Sequence, residues 1–289
     1  MLELHNIVKR YGKELIAVND VTMKLTHGVV GLIGHNGAGK TTLMQMIATL
    51  ALPSSGQILL DGQDVARKPQ MIRARLGYLP QDFGIYPNLS ALEFMQYFAA
   101  LKGCRDPKRI SHLLELVNLH EQAHRPAASF SGGMRRRLGI AQALINDPDI
   151  VIVDEPTAGL DPEERMRFRQ LISELGFRKL VIMSTHIVSD VESIATQLAI
   201  MRSGRLVAFE TPETILAQSA GQIWSAEMDA QSYEGLRSRL HILNAQRQGN
   251  VMTVRIAHPH QPCFEAVPVQ ASLEEALMAQ RYAQQEVLA

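Results

Sequence analysis

The stretch Gly34-His35-Asn36-Gly37-Ala38-Gly39-Lys40-Thr41 decides the fold, because it fits the pattern G-x-x-x-x-G-K-[ST] of phosphate-binding loops without a mismatch. An apolar run over residues 29–33 precedes it and a helix-like segment follows it, as that pattern requires. Glycines let backbone N–H groups surround phosphates, and the following helix points the positive end of its dipole at them. The sequence therefore predicts binding of a nucleoside triphosphate, with Lys40 on the terminal phosphates and Thr41 on Mg²⁺.

A second motif is an apolar strand that ends in two carboxylates. Residues 150–153 are all Ile or Val, and Asp154 and Glu155 follow them. Such a continuous run is typical of a parallel strand that is covered on both faces. Two adjacent acids at its end would lack partners if they were only structural, which favours a functional interpretation. We expect Asp154 in the Mg²⁺ shell and Glu155 beside the terminal phosphate, where it handles water.

The order of the other elements predicts a wound α/β core with two insertions. Residues 2–8 and 18–25 alternate between apolar and polar side chains, which indicates an antiparallel β subdomain. Residues 150–183 follow a strand–helix–strand pattern. Residues 87–146 are mainly helical in pattern and predict a helical subdomain. The expected fold class is α/β, a P-loop NTPase wound sheet with these two subdomains.

The pattern changes near residue 215, where a small second domain is expected to begin. Short strands are predicted over residues 223–228, 241–244 and 251–256. A capping box from Ser272 to Glu275 opens a terminal helix. We therefore expect a nucleotide-binding domain over residues 1–215 and a C-terminal α+β appendage over residues 216–289, which contains no catalytic motif.

Composition and charge narrow the class of protein. The 289 residues are 46% hydrophobic, which is enough for a sizeable core. Lys and Arg together number 29, as do Asp and Glu, so nucleic acid is not expected as a partner. Cys104 and Cys263 stand far apart and in no metal-ligand spacing, which indicates incidental thiols in a reducing compartment. With no signal-like N-terminus and no long apolar run, a cytoplasmic location is expected.

A third motif makes the chain resemble the ATP-binding cassette family. Ser131-Gly132-Gly133, followed after one residue by arginines, resembles that family's signature L-S-G-G-Q and its basic residue. Phe130 and Met134 replace the flanking Leu and Gln, and His35 stands where the family commonly has proline. None of these changes removes a phosphate-contacting group, because the Ser131 hydroxyl and the backbone amides remain.

The resemblance covers about residues 1–215, with the motifs in the family's order, and it implies roles for side chains that would otherwise be taken as structural. It implies that Tyr11 stacks on adenine, that His186 contacts the γ-phosphate and that Asp161 lies in a loop between the two sites of a dimer. The implied catalytic residues are Gln81, Glu155 and His186, and the implied Mg²⁺ ligands are Thr41, Gln81 and Asp154. The implied ATP-contacting residues are Tyr11, Gly34, His35, Asn36, Gly37, Ala38, Gly39, Lys40, Thr41, Thr42, Ser131, Gly132, Gly133 and Asp161.

The resemblance also implies partners. In this family the signature of one copy closes the ATP site of another, and this chain has one phosphate loop and one signature, so a homodimer is expected. An integral membrane permease would be a separate subunit and would hold the chain at the inner face of the cell membrane. The signature region, residues 81–89 and the short tail resemble the branch that works with type-2 exporter permeases, which favours export over import. The transported substrate is not encoded here.

Two local features have alternative interpretations. Phe83, Ile85, Tyr86 and Leu89 are unusually apolar for a loop, so they either receive a short helix of the permease or pack internally. Three arginines, residues 135–137, oppose the positive end of a predicted helix. We expect the γ-phosphate of the partner's ATP, or nearby carboxylates, to supply the compensating charge.

Two other functions compete with transport. The chain could be a cassette ATPase outside transport, but Ser131 follows Lys40 too closely for the long coiled coil of repair proteins, and there is one cassette rather than the two of translation factors. It could also be a regulatory module that binds ATP without hydrolysis. The presence of both Glu155 and His186 argues against that module.

Overall fold

The computed structural model describes residues 1–263 and 265–286, and its internal contacts divide the chain into two units. The first unit is Met1–Phe209 and the second begins at Glu210. The sequence had placed this division after residue 215. The structure places it earlier because the helix Pro212–Gln218 packs against the terminal helix and so belongs to the second unit.

The first unit contains two sheets. Its strands are β1 Leu2–Tyr11, β2 Leu15–Leu25, β3 Gly28–Ile33, β4 Ser55–Leu60, β5 Gln63–Asp64, β6 Leu76–Leu79, β7 Ile150–Asp154, β8 Leu180–Thr185, β9 Gln197–Arg202 and β10 Arg205–Glu210. One sheet is antiparallel, with the order β2-β1-β4-β5. The other has the order β10-β9-β3-β8-β7-β6, and its strands from β9 to β6 run parallel.

Most helices of the first unit follow a residue whose side chain caps them. The helices of this unit are α1 Lys40–Ile47, α2 Pro69–Ala74, α3 Ala91–Leu101, α4 Pro107–Leu116, α5 Gly132–Ala143 and α6 Pro162–Gly176. The side chains of Ser90, Asp106, Ser131 and Asp161 each accept a hydrogen bond from a backbone N–H in the first turn of the helix that follows. Helices α3, α4 and α5 make up the predicted helical subdomain.

The buried centre of the parallel sheet places the functional loops. Strands β3, β7 and β8 are buried along their whole length, as their apolar sequences predict. Asp154 at the end of β7 is in register with Ser184 on β8, and Ile33 at the end of β3 is in register with Thr185. The segments that follow these strands therefore leave the sheet at one edge, and they include the phosphate loop, Glu155 and His186.

The second unit is a small α+β structure. It consists of α7 Pro212–Gln218, β11 Ile223–Met228, α8 Ala230–Arg237, β12 His241–Gln248, β13 Val251–Ala257, β14 Val267–Pro268 and α9 Leu273–Glu286. Its antiparallel sheet has the order β12-β13-β11-β14. The predicted capping box is present, since Ser272 N donates to Glu275 Oε2 at 2.9 Å and Glu275 N donates to Ser272 Oγ at 3.3 Å. The sequence had not predicted α7 and α8.

A bidentate ion pair links the sheet of the second unit to α9. Arg255 Nε lies 2.7 Å from Glu275 Oε1, and Arg255 Nη2 donates to Oε2 at 2.8 Å. The hydrogen bonds from Arg255 lower the pKa of the Glu275 carboxyl below its usual value. A lowered folded-state pKa means that the pair stabilises this unit above the ordinary glutamate pKa. That contribution is lost as the pH falls from there through the folded pKa.

We expect Arg255→Gln to lower the free energy of unfolding of the second unit by about 1 kcal/mol at pH 7, and by less as the pH falls below 4. Urea unfolding followed by tryptophan fluorescence measures this unit, because Trp224 on β11 is the one tryptophan of the sequence. Arg237→Gln is the control, since its partner Glu234 is 3.7 Å away and both side chains are exposed. An unfolding curve of Arg255→Gln that matches the wild type at pH 7 would show that the ion pair does not contribute to stability.

Candidate nucleotide-binding site

The phosphate loop needs glycine at specific positions. Gly37 and Gly39 have φ angles of 81° and 99°, in the left-handed region that side chains rarely adopt. A methyl group on Gly39 would collide with the carbonyl oxygen of Ala17, and one on Gly34 would lie 2.6 Å from the carbonyl oxygen of Met201. Gly39 is also the residue before the first turn of α1, whose N–H groups are those that the sequence assigned to phosphate binding.

Lys40 is buried within the loop. Its Nζ donates to the carbonyl oxygen of Gly34 at 2.6 Å and to that of His35 at 3.3 Å. It also lies 3.4 Å from Glu155 Oε1. The ammonium group is thus held between the phosphate loop and the acid that follows β7.

Asp154 is fully buried at the end of β7. Its Oδ1 accepts a hydrogen bond of 2.6 Å from Ser184 Oγ, which itself accepts one of 2.8 Å from Glu155 N. One hydroxyl therefore fixes both acidic residues. Sequence reasoning did not single out Ser184, although a serine at the end of an apolar strand could have indicated such a contact.

The oxygen atoms around Asp154 fit a magnesium ion. Asp154 Oδ2 is buried and has no hydrogen-bond partner among the described residues. A buried carboxylate oxygen without a partner costs free energy, which a cation or the water that it holds would recover. The other assigned ligands, Thr41 and Gln81, also offer oxygen atoms, the ligand type that Mg²⁺ prefers. In the part of the chain that the structure describes, no group of three or more His, Cys, Asp or Glu residues is placed to hold a metal ion.

Glu155 has a strained backbone and a side chain between two partners. Its φ of 46° lies in the left-handed region, which is uncommon for residues other than glycine and occurs at functional sites. Glu155 Oε2 lies 2.8 Å from Nδ1 of His186. Oε1 is within ion-pair distance of Lys40, but without the alignment of a hydrogen bond. The His186 side chain is about half-exposed, so the pair faces solvent on the histidine side.

A cleft of about 750 Å³ brings most of the assigned residues together. It is lined by Tyr11, residues 15–17, residues 35–42, Gln81, Glu155 and Ser203. Tyr11 is 43% exposed and so offers one ring for stacking at the cleft. Among the residues that the sequence assigned to ATP contacts, those that do not line this cleft are Gly34, Ser131, Gly132, Gly133 and Asp161.

The signature and the start of α6 form a second cluster. Ser131 Oγ accepts from Met134 N at 3.1 Å and donates to Glu164 Oε1 at 3.2 Å. Glu164 N in turn donates to Asp161 Oδ1 at 2.8 Å. Glu164 also packs so closely on Gly133 that a methyl group there would clash with its carboxylate. Glu164 therefore joins the two motifs, and the sequence had given no signal for it.

The three arginines differ from one another. Arg136 Nη1 donates to the carbonyl oxygen of Pro80 at 3.2 Å, and Arg137 Nη1 donates to that of Val117 at 3.0 Å. Burial lowers the pKa of both guanidinium groups, while nearby carboxylates oppose that shift. Both side chains make these direct hydrogen bonds with backbone carbonyls of the same chain, and compensation of their charge by carboxylates or by a partner's phosphate stays a prediction. Arg135 is exposed and stays a candidate for a partner's phosphate.

The apolar loop is partly internal and partly exposed. The ring of Phe83 packs edge-on against Phe94, with centroids 5.8 Å apart, which agrees with the internal alternative. Tyr86 packs edge-on against Tyr97 at 5.4 Å, yet 49% of Tyr86 and 43% of Tyr97 remain exposed. The exposed pair of Tyr86 in the loop and Tyr97 on α3 is available for contact with another protein.

Comparisons with known proteins agree with this geometry. Residues 18–158 match the ABC transporter family. Nod factor export ATP-binding protein I of Cupriavidus pinatubonensis is 34% identical over 238 residues, which cover 79% of this chain and 73% of that protein. Bacitracin transport ATP-binding protein BcrA of Enterococcus faecalis is 35% identical over 210 residues, which cover 72% and 68%. The dimeric post-hydrolysis structure of the ATP-binding cassette MJ0796 with ADP and Pi has a TM-score of 0.66 at 27% identity, covering 73% of this chain and 98% of that one.

The chain belongs to the ABC transporter family, as an ATP-binding subunit. The fold class predicted from the sequence is confirmed by the likeness to solved ATP-binding cassettes. No helix within residues 1–263 and 265–286 combines the length and the apolar character that a membrane crossing requires.

Proposed function

We propose that this chain hydrolyses ATP between two copies of itself and that closure of this dimer drives export through a separate integral membrane permease. The observation that supports hydrolysis most directly is the position of Glu155. Its carboxylate lies 3.4 Å from Lys40 Nζ and 2.8 Å from His186 Nδ1. A base held between a phosphate-binding cation and a histidine is suited to orient water for attack on a terminal phosphate.

Binding of ATP would use the cleft beside the phosphate loop. Tyr11 would stack on the adenine, and the loop amides with Lys40 and Thr42 would hold the phosphates. Thr41, Gln81 and Asp154 would hold Mg²⁺, which when bound neutralises charge on the phosphate oxygens.

Hydrolysis would depend on orientation and charge more than on covalent chemistry. Glu155 would accept the proton of the attacking water, and His186 would fix the Glu155 carboxylate and contact the γ-phosphate. The strained backbone of Glu155 and its hydrogen bond to Ser184 hold the acid in place. Gln81 would report occupancy of the site to the permease.

A homodimer would complete the site. The signature residues Ser131 to Gly133 do not line the cleft of their own chain, which supports their use by a second copy. The similar cassette MJ0796 was solved as a dimer with ADP and Pi. In a two-fold dimer each chain would close the site of the other, and Asp161 would lie between the two sites.

Export and a location at the inner face of the cell membrane are proposed from the relatives. Two similar proteins are named for Nod factor export and for bacitracin transport. The exposed Tyr86–Tyr97 pair is the proposed permease contact, because large aromatic side chains on a surface are typical of protein interfaces. The second unit is proposed as an accessory domain.

We expect Tyr86→Asp to lose the permease while it keeps ATP binding. A charge at the centre of an apolar contact costs free energy, so at least tenfold less membrane protein should co-purify from cross-linked native membranes. Phe177→Asp is the control, because Phe177 is 80% exposed and lies outside the loop. Mass spectrometry identifies the co-purified protein, and ATPase assays with and without it test the coupling. If the wild type retains no integral membrane protein, the transport proposal is wrong.

A further inference from the structure

Asp190 is a buried acid for which the proposed reaction has no use. It is fully buried and lies in the 3₁₀ turn Val188–Asp190, shortly after His186. Its Oδ2 accepts a hydrogen bond of 2.5 Å from Thr157 Oγ1, and its Oδ1 lies 3.6 Å from Arg165 Nε. Burial of a carboxylate is unfavourable unless its partners are well placed, so this arrangement needs a reason.

The partners of Asp190 connect the two segments that carry the reaction. Thr157 follows Glu155 after Pro156, whose ring restricts the backbone between them. In the segment of His186, Ile187 N donates to Thr185 Oγ1 at 2.9 Å, and this hydrogen bond closes a tight turn around His186. The bond from Thr157 to Asp190 therefore ties the segment of Glu155 to the segment of His186.

Helix α6 is attached to the same turn at two points. One is the ion pair between Arg165 and Asp190. The other is a hydrogen bond of 2.9 Å from Arg169 Nη1 to the carbonyl oxygen of Ser189. The cap of α6 is Asp161, the residue assigned to the interface between the two sites. A displacement of α6 would thus reach the turn that carries His186.

The ion pair between Arg165 and Asp190 is longer than a hydrogen bond, so a displacement of α6 would change its strength. Asp190 Oδ1 and Arg165 Nε are both buried, and neither has a hydrogen-bond partner among the residues that the structure describes. Their distance of 3.6 Å exceeds that of a charge-assisted hydrogen bond by less than 1 Å. A small approach of α6 to the turn would satisfy both atoms. The stability of the cluster therefore depends on the position of α6.

We propose that Asp190, through Thr157 and Arg165, is a positioning residue that sets the geometry of the Glu155–His186 pair. It acts on Glu155 through the short segment to Thr157, and on His186 through the turn that follows it. It contacts no nucleotide-binding residue assigned above. The inference rests on the proposed ATPase function, so the experiment below tests the positioning role and the ATPase function by separate measurements.

The first measurement is ATP turnover. Thr157→Val removes the hydroxyl donor, and Asp190→Asn removes the charge at nearly constant shape. We expect each to lower kcat about tenfold and to change KM for ATP less than twofold, because binding groups are untouched. Thr157→Ser keeps the hydroxyl and should restore most of kcat. Thr196→Val is the matched control, since it removes a hydroxyl that donates to the carbonyl oxygen of Val29 at 3.0 Å in the same unit.

The second measurement needs no hydrolysis. Imidazole nitrogen resonances of ¹⁵N-histidine-labelled full-length protein without nucleotide are recorded at one pH, and His186 is identified by the signal missing in His186→Gln. We expect the His186 resonance to shift in Thr157→Val and Asp190→Asn, but not in Thr157→Ser or Thr196→Val. If the wild type has no ATPase activity but the His186 resonance still shifts in Thr157→Val and Asp190→Asn, the proposed function is rejected and the positioning role is retained. An unshifted His186 resonance in both variants would overturn the positioning role. A loss of kcat in Thr196→Val as large as that in Thr157→Val and Asp190→Asn would also overturn it.

Discussion

Glu155→Gln is expected to bind ATP like the wild type and to hydrolyse it about 10²–10⁴ times more slowly. Glutamine keeps the shape of the side chain and one oxygen that can accept a hydrogen bond from His186, but it cannot take a proton from water. It also removes the negative charge beside Lys40, which lies 3.4 Å away, so the affinity for a triphosphate should not fall. Without hydrolysis the ATP-bound dimer should persist.

Single-turnover hydrolysis, titration with a fluorescent ATP analogue and light scattering test these expectations together. Glu163→Gln is the control, because Glu163 is an exposed acid near the start of α6 that pairs with Arg167. Turnover of Glu155→Gln at the wild-type rate would remove Glu155 from the mechanism. A variant that binds Mg-ATP but stays monomeric, alone and with its permease, would reject the shared site.

Gly39→Ala is expected to abolish measurable nucleotide binding and to lower the free energy of unfolding of the first unit by at least about 2 kcal/mol. The φ of 99° at Gly39 is unfavourable for any L side chain, and the added methyl group would strike the carbonyl oxygen of Ala17. The loop would have to move to relieve this clash, and its amides would leave the positions that phosphates need.

Gly62→Ala is a control that introduces similar backbone strain without a steric clash of the added methyl group. Gly62 has a similar φ of 77°, but an added methyl group would meet no atom within 4 Å. This control should cost about 1 kcal/mol and leave nucleotide binding unchanged. Thermal unfolding and titration with the same ATP analogue measure both effects. Normal ATP affinity in Gly39→Ala would show that the loop tolerates a side chain at its tightest point.

The sequence alone predicts those parts of the site that depend on local backbone rules. The phosphate loop needs glycines at fixed spacing, and a buried parallel strand needs the apolar run that ends in Asp154, so both are visible without a structure. The capping box at Ser272 is visible for the same reason. Tyr11 and Gln81 carry no such pattern, and only the resemblance to a family pointed to them.

The parts that the sequence did not reveal depend on contacts between distant segments. Ser184 joins Asp154, Glu164 joins Ser131, and Asp190 joins Thr157, and each pair is about thirty residues apart in the chain. No periodicity or spacing indicates such contacts in advance. Helix α8 was missed for another reason, since it spans only eight residues, which is too short for a clear helical periodicity, and none of them is buried.

The left-handed backbone at Glu155 has a consequence for the durability of the protein. A glycine there would relax the backbone, but it would also remove the carboxylate that the proposed hydrolysis uses. On the proposed mechanism, an acid at this position therefore costs folding free energy that an unstrained residue would not cost. Conformational stability and the proposed catalytic turnover would therefore favour different residues at this one position.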